Sequence, residues 1–67
     1  MKQHINHKIR VLKHFGILDA RDTTTITAVK KVLGTCQNET QVDIVLYNVL
    51  HGNETLNDLL HRKGAIQ

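Results

Sequence analysis

The spacing of apolar residues along the chain predicts an all-α fold of four short helices. Apolar residues recur every three or four positions, which places them on one face of a helix. We expect helices at residues 3–15, from about 22 to 34, from about 38 to 50 and from about 53 to 63. The expected core residues are Ile5, Ile9, Leu12, Phe15, Ile26, Val29, Leu33, Val42, Val45, Leu46, Val49, Leu50, Leu56, Leu59 and Leu60.

Glycines mark the predicted helix ends. Gly16 directly follows the first helix and suits a left-handed C-cap. We expect Gly34, Gly52 and Gly64 to end the other three helices. Residues 17–22 connect the first two helices, and we expect the two apolar residues of this connection to reach the core.

Polar residues suited to N-capping precede the later helices. Asp22 can accept hydrogen bonds from the free amides of the second helix. The motif Asn-Glu-Thr-x-x-Asp occurs at 38–43 and again at 53–58. In both copies we expect the asparagine to cap a helix and the glutamate to lie in its first turn, where the helix dipole is positive.

The segment 23–27 permits two interpretations. Its threonines are β-branched and favour a strand. The apolar residues Ile26, Val29 and Leu33 have helical spacing and favour a helix. The helix is the prediction, and a short strand at 23–27 is the alternative.

The predicted third helix, at about 39–50, is apolar on nearly all sides. Such a helix is normally buried, so we expect it at the centre of the bundle. Ile44 and Tyr47 nevertheless lie opposite its main apolar face. In so small a protein we expect them at a self-association face and predict a homodimer. The alternative is a monomer in which the N-terminal segment or residues 17–22 cover this side.

Length and composition limit the kind of protein. The chain of 67 residues is one domain, 1–67, with 40% hydrophobic residues and a single cysteine. A core of this size rarely supplies more than ~3–5 kcal/mol. An internal disulfide is excluded, and no apolar run approaches the ~18 residues of a membrane span. With no visible signal peptide, we expect a cytoplasmic protein without a membrane partner.

The residues of the chain do not suggest an enzyme. Serine is absent, no glycine forms a phosphate-binding loop, and the carboxylates are explained as helix caps or first-turn residues. Histidines three apart at His4 and His7 could bind zinc, but a structural site needs four ligands, and Cys36 lies far along the chain. We therefore expect no catalytic residues, no metal and no cofactor.

The first helix carries the one charge pattern that helix dipoles do not explain. Residues 1–15 have four basic residues and no acid, whereas the rest of the chain has five basic and six acidic residues. The candidate basic binding face consists of His7, Lys8, Arg10, Lys13 and His14. Such a face suits phosphate or an acidic partner, although it is also typical of a solvated surface.

Two functional hypotheses follow. The first is a non-enzymatic, regulatory protein-interaction module that binds another protein of unknown identity and self-associates through Ile44 and Tyr47. The alternative is a nucleic-acid-binding regulator that contacts phosphates through the basic first helix. DNA reading by the third helix is disfavoured because Glu39 and Asp43 would face a polyanion. Base stacking is disfavoured because both aromatic residues, Phe15 and Tyr47, are expected in or near the core.

Overall fold

The computed structural model describes residues 1–66 and contains four α-helices within them. These are α1 (Lys2–His14), α2 (Thr23–Gly34), α3 (Glu39–Leu50) and α4 (Leu56–Arg62). The described residues contain no strand. The all-α prediction is confirmed, with the helices in the expected order.

Every helix contributes to one apolar core. Leu12 of α1, Leu33 of α2, Leu46 of α3 and Leu59 of α4 are each at most 1% exposed. Of the expected core residues, Ile5, Ile26, Val45 and Leu50 are half-buried and pack against this core. The helical periodicity therefore predicted the buried faces correctly.

Phe15 is the exception, because its side chain is 66% exposed. It is the C-cap residue of α1, where the chain leaves the helix. The amides of Ile17 and Leu18 both bond to the carbonyl of Leu12, at 2.9 and 3.2 Å. This turn brings Leu18 to 3% exposure, as expected for an apolar residue of the 17–22 connection.

Gly16 makes this turn possible. Its φ is +73°, in the left-handed region that side chains disfavour. The Gly16 amide bonds to the carbonyl of Lys13 at 3.1 Å, so α1 ends in a Schellman motif. The two bonds of this motif, one from the glycine amide and one from the amide of the next residue, are also present at Gly52 and Gly64.

Helix α2 begins at a well-formed cap. The Asp22 carboxylate accepts from the Thr25 amide at 3.1 Å and from the Thr25 hydroxyl at 2.6 Å. These bonds stabilise the first helical turn at the point where β-branched residues would otherwise favour a strand. The alternative of a strand at 23–27 is wrong.

The two copies of the repeated motif have different roles. Asn38 caps α3 as predicted, with its side chain accepting from the Gln41 amide at 2.9 Å. Asn53 does not cap α4. Its amide instead bonds to the carbonyl of Asn48 at 2.8 Å and so closes the end of α3. Thr55 caps α4, in a reciprocal capping box with Asp58.

The central position predicted for α3 is not confirmed. The most extensive contacts between helices join α1 to α2, α1 to α3 and α2 to α4. Helix α3 buries Val42, Leu46 and Val49 but leaves Ile44 66% exposed and Tyr47 55% exposed. One face of α3 is therefore packed in the core and the opposite face is open.

Candidate interaction surfaces

The open face of α3 carries an evenly spaced row of four residues. These are Thr40, Ile44, Tyr47 and His51, at intervals of four, three and four positions, and all are exposed. We call this row the α3 seam. The row contains no acidic, lysine or arginine side chain, and its two middle residues, Ile44 and Tyr47, are apolar.

Tyr47 and His51 form an ordered pair within the α3 seam. Their rings are stacked, with centroids 4.0 Å apart and an interplanar angle of 19°. The His51 Nδ1–H donates to the Tyr47 backbone carbonyl at 2.9 Å, which fixes the imidazole at the end of the helix. Since both rings are held in place, less side-chain freedom is lost when a partner covers them.

A shallow groove of about 280 Å³ lies beside the α3 seam. Ile44 belongs to both, so the seam and the groove form one continuous surface. The groove is lined by Val32, Thr35, Cys36, Gln41, Ile44, Val45 and Lys63. Cys36 is half-buried there as a free thiol.

Two acidic residues near the start of α3 turn away from the seam toward α1. The His4 Nε2–H donates to Asp43 Oδ1 at 2.8 Å, and Lys8 Nζ lies 3.3 Å from the same oxygen. His4 Nδ1 is also 3.8 Å from Glu39 Oε2. The hydrogen bond from His4, followed by the contact with Lys8, lowers the pKa of Asp43.

The basic face predicted on α1 is divided by this contact. Lys8 packs against α3, with its side chain 22% exposed. His7, Arg10, Lys13 and His14 are exposed on the outer side of α1. Within residues 1–66, no carboxylate comes within 4.0 Å of Arg10 or Lys13.

Phe15 adds an exposed aromatic ring to the end of α1. Its ring meets the edge of His14, with centroids 5.4 Å apart and an interplanar angle of 72°. With Tyr47, both aromatic residues of the chain are therefore exposed rather than buried. The argument that no aromatic ring is available for stacking is wrong.

Sequence reasoning found Ile44 and Tyr47 but missed the pairing of α1 with α3. A signal for it exists, because His4 and Lys8 are one helical turn apart and lie beside the apolar face that contains Ile5. A basic flank on one helix and acids at Glu39 and Asp43 on another are complementary. To predict this pairing from the sequence, one must know that α1 and α3 are neighbours in the fold.

Among the 66 described residues, no group of three or more histidine, cysteine or acidic side chains could hold a metal ion. The described helices include none that is long and apolar enough to cross a membrane. No family of known proteins matches this chain, and neither a curated protein nor a solved structure shows significant similarity to it.

Proposed function

We propose that this chain is a non-enzymatic regulatory module that binds a helix of a protein partner along the α3 seam. The observation that supports this most strongly is the exposure of Ile44 and Tyr47, at 66% and 55%, on a helix whose other face is fully packed. Exposed apolar residues that adjoin one another on a small protein are typical of interaction sites.

The spacing of the seam favours a helical partner. Intervals of four, three and four residues are those of the a and d positions of a heptad, which receive side chains from a facing helix. Helix recognition through such anchors is a common mode of binding. Thr40 and His51 give the seam polar ends, and Ile44 and Tyr47 give it an apolar middle.

The expected affinity is moderate. Full burial of a large apolar side chain contributes ~1.5–3 kcal/mol, and Ile44 and Tyr47 are already partly covered. The ordered Tyr47–His51 stack lowers the entropic cost of docking. These terms suit a reversible contact, as regulation requires.

A binding experiment with matched variants tests the proposal. The immobilised chain would be incubated with native lysate, with and without nuclease, and the retained proteins identified. Ile44→Gln with Tyr47→Gln should abolish the specific capture because the apolar middle of the seam is lost. Phe15→Gln is the control, since it removes an equally exposed apolar side chain from α1. Capture that is unchanged by the α3 substitutions, or lost equally with Phe15→Gln, contradicts the proposal.

A second candidate function is nucleic-acid binding through the outer side of α1. It is favoured by the exposure of Arg10 and Lys13 without a carboxylate nearby, together with the exposed ring of Phe15. Phosphate contacts and ring stacking are the two main elements of sequence-tolerant binding to single strands. Lys8 is not part of this candidate surface because it contacts Asp43.

Salt and charge substitutions distinguish the two candidates. Phosphate-driven binding weakens steeply as salt rises, whereas apolar docking changes little. Arg10→Gln with Lys13→Gln should abolish binding to a labelled single-stranded oligonucleotide. Lys30→Gln with Lys31→Gln removes the same charge from α2 and should leave most of that binding intact. An equal loss in both double variants would indicate a general effect of net charge and would contradict a site on α1.

A further inference from the structure

We infer that the helix that docks on the α3 seam is α3 of a second copy of this chain, packed antiparallel about a two-fold axis. The inference rests on the proposed function and specifies its partner. In a two-fold contact each copy presents the same surface to the other, so that surface must be self-complementary. The α3 seam meets this condition in three respects. Its residues bring no like charges together, its apolar pair lies at the middle of the helix, and its residues pair with one another when the two helices run antiparallel.

The seam brings no like charges together. Thr40, Ile44 and Tyr47 carry no formal charge and can meet a second copy of the seam without repulsion, although the chain as a whole carries a net charge of +3. The acids nearest to the seam, Glu39 and Asp43, point toward α1 and lie near His4 and Lys8. The α1–α3 contact thus holds these two acids beside basic partners, while Lys63 lines the groove that adjoins Ile44.

The apolar pair lies at the middle of α3. Ile44 and Tyr47 are almost equally far from the two ends of the helix, Glu39 and Leu50. When two such helices run antiparallel with a two-fold axis between these residues, Ile44 lies opposite Tyr47 of the partner subunit. Thr40 then lies opposite His51 of the partner subunit, so the helices overlap along their full length.

An antiparallel arrangement is favoured over a parallel one by electrostatics. Parallel helices would place the two positive helix N-termini side by side. Antiparallel helices place each helix N-terminus beside the C-terminus of its neighbour, where the dipoles attract. The a and d positions also alternate correctly, because an a residue meets a d residue of the other helix.

The area of contact limits the strength of this dimer. A stable interface buries about 800 Å² of each partner, and the whole chain exposes 4621 Å². A seam of four residues along ~18 Å of helix is smaller than such an interface. We therefore expect a dissociation constant on the order of 100 µM, typical of a reversible contact.

Sedimentation equilibrium of the full chain tests the association. From about 10 µM to about 1 mM, the average mass should rise from monomer toward dimer. Ile44→Gln with Tyr47→Gln should weaken dimerisation at least about ten-fold, whereas Phe15→Gln should leave it unchanged. Circular dichroism of each variant verifies the fold. A chain that stays monomeric throughout, or a dimer insensitive to the α3 substitutions, overturns the inference.

Cross-linking tests the direction of the helices. In a Cys36→Ser background, a tagged chain with Thr40→Cys would be mixed with an untagged chain with His51→Cys under mild oxidation. The antiparallel pair predicts a disulfide between the two different chains. It predicts none between two Thr40→Cys chains, because those positions are about 16 Å apart along the helices. A predominant link between two Thr40→Cys chains overturns the antiparallel arrangement.

The outcomes also separate this inference from the proposed function. If the chain is monomeric and still captures a different protein through Ile44 and Tyr47, the module binds a foreign helix and the inferred dimer is wrong. If neither self-association nor capture depends on these residues, the proposed function is wrong as well.

Discussion

The imidazole of His4 donates a 2.8 Å hydrogen bond to the carboxylate of Asp43, and so joins the first turn of α1 to α3. The two residues are 39 positions apart in the chain. Lys8, one turn further along α1, contacts the same carboxylate. The contact lies on the side of α3 that faces α1, whereas Ile44 and Tyr47 lie on the open side.

We predict that the pKa of Asp43 rises when its partner on α1 is removed. The His4 hydrogen bond is the largest cause of the lowered pKa, and the contact with Lys8 is smaller. NMR titration of the side-chain carboxyl carbons should give a larger rise in His4→Ala than in Lys8→Ala. Equal values in wild type and His4→Ala would show that the bond is not formed in solution.

The same carboxylate should make stability depend on acid pH. A pKa that is lower in the folded chain than in the unfolded chain, where it is about 3.9, means that folding favours the ionised form. The stabilisation is complete above the unfolded value and is lost as the pH falls through the folded value. Thermal unfolding should therefore show a smaller drop toward about pH 2.5 in Asp43→Asn than in wild type. Identical pH profiles would contradict this prediction.

The cap of α4 can be located by comparing two single substitutions. Thr55→Ala removes the side chain that accepts from the Asp58 amide and should lower the free energy of unfolding by about 0.5–2 kcal/mol. Asn53→Ala is the control, because Asn53 contributes its backbone amide rather than a side-chain cap, and should change stability by less than about 0.5 kcal/mol. Urea unfolding measures both. A larger loss with Asn53→Ala than with Thr55→Ala would mean that Asn53, and not Thr55, caps α4.

Two glycines should respond to alanine in opposite directions. At Gly16 nothing lies within 4 Å of an added Cβ, so the cost arises from its φ of +73° and should be about 1–2 kcal/mol. Gly34 also has open space but is the last residue of α2 and has no positive φ. Gly34→Ala should therefore stabilise the chain by up to about 1 kcal/mol. Melting temperatures that shift in the same direction for both variants would contradict the assigned backbone conformations.

Leu46 and Ile44 are two residues apart on α3 and should differ strongly in importance for folding. Leu46 is 0% exposed, and Leu46→Ala should cost about 2–5 kcal/mol. This approaches or exceeds the ~3–5 kcal/mol available to so small a core, so much of the variant should be unfolded at room temperature. Ile44→Ala, at a position 66% exposed, should remain folded and helical. Circular dichroism separates these outcomes, and an unfolded Ile44→Ala would mean that Ile44 belongs to the core.

Local signals in the sequence predicted most of the fold. Apolar spacing identified the buried faces, and Gly16 and Asp22 were recognised as helix ends because capping depends on neighbouring residues. The cap of α4 was misassigned because two suitable residues, Asn53 and Thr55, lie close together. Which of them caps α4 depends on how many residues form the turn between α3 and α4.

The position of α3 and the surface of α1 could not be predicted in the same way. The composition of α3 suggested burial on all sides. The other three helices are short and leave its Ile44 and Tyr47 side uncovered. Phe15 is exposed because it is the C-cap residue of α1, where the chain turns at Gly16 and leaves the helix. The basic face is divided because Lys8 contacts Asp43, which lies on a helix distant in the sequence.

The cap at Asp22 has a consequence for the unfolded chain. The threonine-rich segment 23–27, with Ile26 among its β-branched residues, is suited to a strand whenever the first turn of α2 is open. Asp22 stabilises that turn in the folded state and places a negative charge beside the segment in the unfolded state. A charge that flanks a strand-forming segment acts as a gatekeeper against intermolecular β-pairing. The carboxylate that caps α2 in the folded chain is thus also a charge of the gatekeeper type beside segment 23–27 in the unfolded chain.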